Sequence, residues 1–591
     1  MKQQRLLITT AHDLTSPSNE KVLFLGEWCI PFSRKEAYGN LDHVIAFYHW
    51  DDRQKLLDDF KYLEVTYEKL LSYCAKQLNG IHKINYSIKQ WRIILGPWLG
   101  QFSQSIFDRW SCIKGAEHSF QISETVIIEF PEHLFIPNDQ EHFGLMSWTS
   151  EWNHYLMADI IQNHTTIACR TIKPDNPIHK NFFQKNFTIQ KPSLLRRLFS
   201  VITKISNFFS SNRYAFFLNT YLPTWKEIFL QIRMGQLPRL FTTLNSQPSQ
   251  CNPLLRIWDL DISILDEFEA VLYPMIMQNI PLSYLEDFDI LSRESAKQGW
   301  PENPSIIWTS NSYSSDDCFK IWAARNQGEG VPIVIGQHGG GIGTHLFAFY
   351  EQHQISISDL YFSWGWDELE LPHVHPLGLL KSKKKVRSHR PKAKNILMVT
   401  AALQQQSYHL YSSFISSQYL SYLDDQFEFT QHLSESLQEI LIVRANEKVL
   451  KGGWETNLRW AQKFPNITMN YGEKHIDQVL PEAKICVGTY NATFFLETLH
   501  MNIPTIVFWN PDHWEIREHA KPYFQHLLDA KILFYQPREA ALHLNKIANN
   551  IDEWWDSSEV IKARKIFTDH FSRHNPSLLR DIHRSFIELK D

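Results

Sequence analysis

The sequence contains few cysteines, and their arrangement argues against two kinds of stabilised small domain. Seven cysteines occur in 591 residues, an odd number, and none belongs to a C-x-x-C pair. A regular disulfide framework and a structural zinc cluster are therefore not expected. This cysteine content is typical of a protein from a reducing cytosol.

Long apolar runs and an excess of basic residues are also missing. Nowhere do about 18 apolar residues follow one another, and the first residues, MKQQRLLITTAHDLTS, lack the apolar core of a signal peptide. The formal net charge of −5 gives no reason to expect a nucleic-acid partner. We therefore expect a cytoplasmic protein. The cationic amphipathic segment 193–210 is compatible either with peripheral contact with the inner membrane or with a core helix.

The length and the aromatic content set broad limits on the fold. A chain of 591 residues is too long for one core and favours two large domains. Aromatic residues make up 14% of the chain, which fits a sugar-handling surface but equally fits an aromatic core. Short apolar strands alternate with helical segments, and this pattern predicts an α/β fold of doubly wound parallel sheets.

Domain boundaries follow from one basic stretch. Residues 381–394, KSKKKVRSHRPKAK, are typical of a solvated linker. We predict an N-terminal Rossmann-like domain with helical insertions over 1–380 and a C-terminal Rossmann-like domain over 395–560. The last segment, 561–591, is predicted to be a helix that packs back across the domains.

The most informative motif is PIVIGQHGGGIG at 332–343. Its first half is a buried β-strand by composition, and its second half exposes backbone N–H groups beside dense glycines, an arrangement that suits an anion. A tight turn with a core-facing histidine is the alternative. The candidate residues are Gln337, His338, Gly339, Gly340 and Gly341.

Acidic residues follow two predicted strands near the N-terminus. Glu27 comes after KVLFLG, and Asp51 and Asp52 follow the predicted strand HVIAFYHW at 43–50. Polar groups at the carboxyl edge of such a sheet lie where ligands collect, so Glu27 and Asp51 are candidate general bases. Asp51 and Asp52 equally suit the cap of the helix that starts at Arg53.

The second alternating unit contains a candidate site for a phosphate. A strand, EILIVRA, brings Arg444 to its edge, and the segment GTYNATFFLETLH predicts a strand end, a turn and a helix N-terminus. Thr489 or Asn491 is a possible N-cap, and Glu497 is predicted one turn along the same face as Thr493. The candidate donor-binding residues of this unit are Arg444, Thr489, Tyr490, Asn491, Thr493 and Glu497.

Two such units in tandem describe the architecture of GT-B glycosyltransferases. The acceptor domain comes first there, the nucleotide-sugar domain second, and neither a metal nor another cofactor is required. Asp259-Leu260-Asp261 has the form of a D-x-D metal motif, but three residues are a weak match and a surface turn is favoured. Helix dipole, arginine and backbone N–H groups can stabilise the leaving phosphate instead.

Several motifs together resemble one protein family over nearly the whole chain. These are GEWC, YHWDDR, WRIILGPWL with DRW, GQHGGGIG and GTYNATFFLETLHMNIPTIVFW. They look like bacterial surface-carbohydrate transferases related to the capsular transferases that handle Kdo and nonulosonic acids. The resemblance implies a CMP-activated nonulosonic acid, such as pseudaminic acid, as donor, and a glycan or lipid-linked glycan of a capsule or O-antigen as acceptor.

A mechanism consistent with these residues assigns each group a role. Glu27 or Asp51 deprotonates the acceptor hydroxyl, His338 and the glycines hold the donor carboxylate or phosphate, and the second unit binds the nucleotide. Two alternatives stay open. One is a CDP-polyol or phosphosugar transferase of teichoic-acid type, and the other is a non-catalytic carbohydrate-binding protein of polysaccharide assembly.

Overall fold

The computed structural model of the chain describes residues 4–174, 214–242, 248–260, 265–297, 299–381, 393–406, 410–445 and 453–590. Within these ranges the chain forms three parallel β-sheets with helices packed on them, so the predicted α/β class with Rossmann-like units is confirmed. Segment 193–210, Asp261 and most of the basic stretch 381–394 lie outside the described residues. No helix of the described ranges is both long and apolar enough to cross a bilayer.

The first sheet has the strand order of a Rossmann fold. Its strands are β1 (Arg5–Ile8), β2 (Val22–Phe24), β3 (His43–Ile45), β4 (Ile122–Ile128) and β5 (Cys169–Ile172). They pair in the order β3-β2-β1-β4-β5, all parallel. The order reverses between β1 and β4, and such a reversal opens a crevice at the carboxyl ends of the strands.

The third predicted strand of this sheet is shorter than expected. Only His43–Ile45 is extended, and His49–Asp51 forms a 3-10 turn. The Tyr48 hydroxyl and the His49 ring both bond to Asp108. Successive side chains of a strand point to opposite faces and could not both reach one carboxylate, so the chain leaves the strand and turns before these two residues.

A second sheet also lies within residues 1–380. Its strands are β6 (Phe216–Leu218), β7 (Ile307–Thr309), β8 (Ile333–Gly336), β9 (Leu360–Ser363) and β10 (Val374–Pro376). They pair in parallel and follow one another across the sheet in chain order. The sequence indicated two sheets in all, because a regular alternation of strand and helix does not reveal where one sheet ends and another begins.

The third sheet repeats the Rossmann order. Its strands are β11 (Asn395–Val399), β12 (Leu441–Arg444), β13 (Thr468–Asn470), β14 (Ala483–Gly488), β15 (Thr505–Phe508) and β16 (Leu533–Phe534). All neighbours are parallel, in the order β13-β12-β11-β14-β15-β16. Its reversal lies between β11 and β14, directly before the turn at 489–493.

Eleven described helices precede or accompany the second sheet. They are α1 (Lys35–Gly39), α2 (Arg53–His82), α3 (Ile88–Ser119), α4 (Gln140–Met146), α5 (Ser150–His164), α6 (Thr224–Arg233), α7 (Glu267–Asn279), α8 (Phe288–Lys297), α9 (Ser312–Ser315), α10 (Asp317–Gly328) and α11 (Phe349–Ile357). The Asp52 carboxylate caps α2 by accepting from the N–H groups of Gln54 and Lys55. The capping role considered for Asp52 is therefore correct.

Ten described helices accompany the third sheet. They are α12 (Gln418–Gln431), α13 (Glu435–Gln438), α14 (Thr456–Lys463), α15 (Ile476–Val479), α16 (Thr493–His500), α17 (Lys521–Asp529), α18 (Pro537–Ile547), α19 (Ile551–Trp555), α20 (Ser558–Phe571) and α21 (Leu578–Glu588). The apolar side chains of α21 pack against the second sheet. The C-terminal helix therefore joins two parts of the chain that are far apart in sequence.

Candidate active site

The glycine loop, residues 337–343, follows the carboxyl end of β8, and the side chain of Gln337 stabilises it through hydrogen bonds. The Gln337 side chain is buried and donates to the carbonyl of Gly339 at 2.8 Å. Its oxygen accepts from the backbone N–H of Trp364 at 2.7 Å and from the indole N–H of Trp366 at 2.9 Å. Gln337 therefore shapes the loop from inside the protein.

The glycine loop lies directly against the start of α16. The N–H of Gly340 donates to the Thr493 hydroxyl at 2.9 Å. A Cβ at Gly340 would lie 2.5 Å from the backbone carbon of Ala492 and from the nitrogen of Thr493. Only glycine permits this approach, so the loop after β8 and the turn after β14 are in direct contact. The region around this contact is called the cleft.

A second contact joins the same two segments one turn further along. The Nε2 of His345 lies 3.1 Å from the carbonyl oxygen of Asn491. Gly341 has φ +86° and faces the His345 ring, so a side chain there would be strained and would also meet that ring. His345 therefore fixes the far end of the glycine loop on the turn.

The turn at 489–493 lies at the strand reversal of the third sheet. The Thr489 hydroxyl donates to the carbonyl of Val399, the last residue of β11, at 3.1 Å. The N-cap of α16 is Ala492, which provides no side-chain cap. The prediction that Thr489 or Asn491 caps this helix is wrong, because Thr489 bonds to β11 and the Asn491 amide faces Thr344.

His338 stands at the rim of this cleft with two polar neighbours. Its Nδ1 lies 3.0 Å from the Tyr221 hydroxyl and 3.3 Å from the carbonyl of Ser310. Partial burial of the ring lowers the pKa of His338, and the Lys381 ammonium lowers it further. The imidazole is therefore neutral near pH 7 and can accept or donate a proton.

Lys381 links His338 to Glu497. The ammonium group lies 3.3 Å from a Glu497 carboxylate oxygen and 5.0 Å from the centre of the Tyr221 ring. Glu497 is on α16, one turn beyond Thr493. These groups lie beside the start of α16, which has no side-chain cap, and a helix start of this kind suits a phosphate or a carboxylate.

Comparison with known families identifies the class of the protein. The family described as "LIC12162 family transferase" matches residues 5–586. The chain belongs to this transferase family. The prediction of an enzyme that transfers a group is thereby confirmed.

Solved structures give weaker likenesses to this transferase. Acinetobacter baumannii MurG has 10% sequence identity and a TM-score of 0.30, with 66% of this chain and 96% of that chain covered. A variant of the wall teichoic acid polymerase TagF has 11% identity and a TM-score of 0.29, with 50% of this chain and 76% of that chain covered. A search of curated proteins finds no match. The fold of this transferase is therefore described from its own three β-sheets.

The two predicted general bases follow strands of the first sheet and have partners different from those of His338. The Asp51 carboxylate accepts from the Gln418 amide at 3.2 Å, and burial raises the pKa of Asp51. Burial lowers the pKa of Arg459 on α14, an effect partly offset by the nearby carboxylates of Glu455 and Glu27. Both candidate bases thus face helices of the third sheet, while the hydrogen bonds described for His338 go to Tyr221 and Ser310.

Arg444 and Tyr490 lie on the third-sheet side of the transferase. The guanidinium of Arg444 donates to the Asn470 side chain at 2.7 Å, and burial lowers the pKa of Arg444. Burial raises the pKa of the Tyr490 hydroxyl, and the charge of Glu497 adds to this effect. The charges of Glu497 and Arg444 therefore both act on the Tyr490 hydroxyl, in opposite directions.

One described cluster has the ligand types of a metal site. Atoms of His49, Asp108 and Cys112 lie within 4.8 Å of one another. However, Asp108 already accepts from the Arg109 guanidinium at 2.8 Å and from the Tyr48 hydroxyl at 2.8 Å. A buried guanidinium at that distance opposes a cation, so the cluster is a structural hydrogen-bond network.

Two groups of the cleft, Tyr221 and Lys381, were not predicted from the sequence. Tyr221 follows β6 in the way that His338 follows β8, so the rule applied to the other strand ends would have found it. Lys381 is the first residue of the basic stretch 381–394, and the composition of that stretch predicted a solvated linker. Neither a motif nor a spacing distinguished Lys381 from the lysines that follow it.

The His345 contact predicts a pH dependence of transferase stability. Burial lowers the pKa of His345 from 6.5 to about 4. Below pH 6.5 the unfolded chain binds a proton that the folded chain excludes, so this contribution to stability falls as the pH decreases from 6.5 towards 4. In chemical denaturation, the free energy of unfolding of His345→Gln should fall less steeply over this pH range than that of the parent protein. His118→Gln, at an exposed histidine, should keep the parent slope, and equal slopes for all three proteins would contradict the prediction.

Proposed function

We propose that this transferase is a glycosyltransferase of bacterial surface-polysaccharide synthesis that uses a nucleotide-activated sugar. The observation that supports it best is the cleft in which the glycine loop meets the uncapped start of α16, beside His338 and Lys381. Ligands of open parallel sheets bind at such strand reversals, and a sugar nucleotide presents a phosphate to a helix start.

The proposed reaction forms one carbon–oxygen bond and breaks another. The acceptor hydroxyl oxygen attacks the anomeric carbon of the donor, while the bond from that carbon to the phosphate oxygen breaks and its electron pair leaves with the nucleotide. Glu27 or Asp51 takes the acceptor proton. Backbone N–H groups of the turn, His338 and Lys381 hold the negative charge that develops on the phosphate.

The donor proposal is a CMP-activated nonulosonic acid. It is supported by the family resemblance of the sequence motifs and by the Lys381 ammonium beside the start of α16, which has no side-chain cap and would suit a donor with a phosphate and a carboxylate. Arg444, Thr489, Tyr490 and Asn491 would surround the nucleotide, with Glu497 towards its ribose. The acceptor would be a glycan or a lipid-linked glycan.

Nucleotide-dependent stabilisation tests this assignment. CMP-sugars should raise the melting temperature of the protein more than CDP-, UDP- or GDP-sugars, because a ligand that binds only the folded state at a hundredfold excess over Kd adds about 2.7 kcal/mol. Lys381→Ala should weaken this shift strongly, whereas Lys463→Ala, at an exposed helical lysine, should leave it unchanged.

The other outcomes of this experiment have defined meanings. Stabilisation by CDP-linked donors alone would replace the proposal with a teichoic-acid type polyol or phosphosugar transferase. An absence of stabilisation by every nucleotide, with polymer still formed after Glu27→Ala, Asp51→Ala and His338→Ala, would point to a non-catalytic carbohydrate-binding role.

A further inference from the structure

A cavity of about 600 Å³ lies among the helices α2, α3 and α11, and it shares no lining residue with the cleft. Its inner wall is buried, and its mouth is formed by exposed residues of α2 and α11. Pockets for small ligands commonly have volumes of about 300–1,000 Å³. The residues that matter for its chemistry are Phe60, Glu64, Tyr67, Glu68, Arg92 and His353.

His353 gives this cavity a polar group without a partner. The side chain is buried, with 3% of the residue exposed, and neither ring nitrogen has a hydrogen-bond partner. Burial lowers the pKa of His353 to about 3, so the ring is neutral and offers one donor and one acceptor. An unpaired buried ring is costly, and a ligand that both donates and accepts would remove that cost.

The charged side chains that line the cavity sum to zero. Arg92 donates to both carboxylate oxygens of Glu68, at 2.6 Å and 2.7 Å. The Glu64 carboxylate accepts from the Gln352 amide, and burial raises the pKa of Glu64. Lys61 is the remaining charged residue of the lining, and its positive charge acts on Glu64. Two acids and two bases leave no net charge, so a neutral occupant is favoured over an ion.

Aromatic rings supply the apolar part of the wall. Phe60, Tyr67 and Phe349 line the cavity, and the rings of Tyr67 and Phe349 meet edge to face with centroids 5.7 Å apart. Ring faces pack well against the C–H face of a sugar ring, while its hydroxyl groups both donate and accept. We propose that this cavity binds a neutral polyhydroxylated ligand of the sugar class, with its hydroxyl groups on His353 and its C–H face on the aromatic wall.

The position of α11 separates this site from the cleft. Phe349, Gln352 and His353 have the spacing of one helix face and line the cavity. Glu351 lies on another face of the same helix, accepts from the N–H of Gly343 at 2.9 Å and forms an ion pair with Arg517 at 2.5 Å. The inference therefore does not depend on the function proposed for the cleft.

Saturation-transfer NMR on the full chain tests the proposal with galactose and N-acetylglucosamine as neutral probes. Both should receive saturation from the protein at millimolar concentration, and inorganic phosphate should not compete with them. The His353 ring resonance should shift as either sugar is added. His338→Ala, at the cleft, should leave sugar binding unchanged, which distinguishes this site from the donor site.

Two variants locate the binding. His353→Leu removes both ring nitrogens, and Ser356→Leu adds bulk at the exposed mouth, where folding is not at risk. Each should weaken sugar binding at least tenfold, whereas Ser436→Leu, at an exposed serine of α13, should not change it. The proposal is overturned if neither sugar binds, if phosphate displaces them, or if both variants bind sugar as the parent does.

Discussion

Replacing Gly340 with alanine is expected to separate the glycine loop from α16 and to remove most transferase activity. The new Cβ would lie 2.5 Å from two backbone atoms, of Ala492 and Thr493, where carbon contacts need about 3.5–4.0 Å. Neither neighbour is a flexible side-chain end, so one segment must move by about 1 Å. Overpacking of this kind costs about 1–3 kcal/mol. A displacement of about 1 Å at a reacting centre costs about a hundredfold in rate.

The measurements are kcat/KM with the donor that stabilises the protein and the free energy of unfolding. Gly144→Ala is the matched control, because a Cβ there meets nothing within 4 Å and the residue lies inside α4. The control should keep full activity and gain up to about 1 kcal/mol, since alanine favours a helix more than glycine does. Equal activity in the two variants would show that the contact of Gly340 with Thr493 is not needed for the reaction.

The strand ends of this transferase were predictable because their composition is local information. The apolar run before Gln337 and the run before Thr489 each end in a polar residue. A buried parallel strand leaves such a residue at the carboxyl edge of its sheet. The same reasoning placed Glu27 and Asp51 at an edge. This reasoning predicted which segments are strands and at which end of each strand the candidate functional residues lie.

The meeting of those ends was not predictable from local patterns. Gly340 and Thr493 are separated by 153 positions, and their contact depends on how two sheets pack. The cap of α16 was mispredicted for the same reason, because the Thr489 hydroxyl donates to the carbonyl of Val399 on the neighbouring strand instead of capping the helix. Lys381 reaches Glu497 only through the tertiary fold, so its position within a basic run concealed it.

Replacing Lys320 with methionine is expected to destabilise the protein by about 3–5 kcal/mol, because it leaves a buried carboxylate without its cation. Lys320 and Asp317 form an ion pair at 2.7 Å, with side-chain exposures of 0% and 4%. Asp317 also accepts from the Tyr284 hydroxyl at 3.0 Å and from the backbone N–H of Gln140 at 3.1 Å. The pair therefore connects α4 and the segment before α8 to the helix that covers the second sheet.

A double variant separates the charge from the packing. Asp317→Asn combined with Lys320→Met removes the unpaired charge, so it should be more stable than Lys320→Met alone in chemical denaturation. Lys521→Met, which removes an exposed partner of Glu518, should cost at most about 1 kcal/mol. If the double variant lost the full sum of the two single effects, the cost would arise from packing around α10.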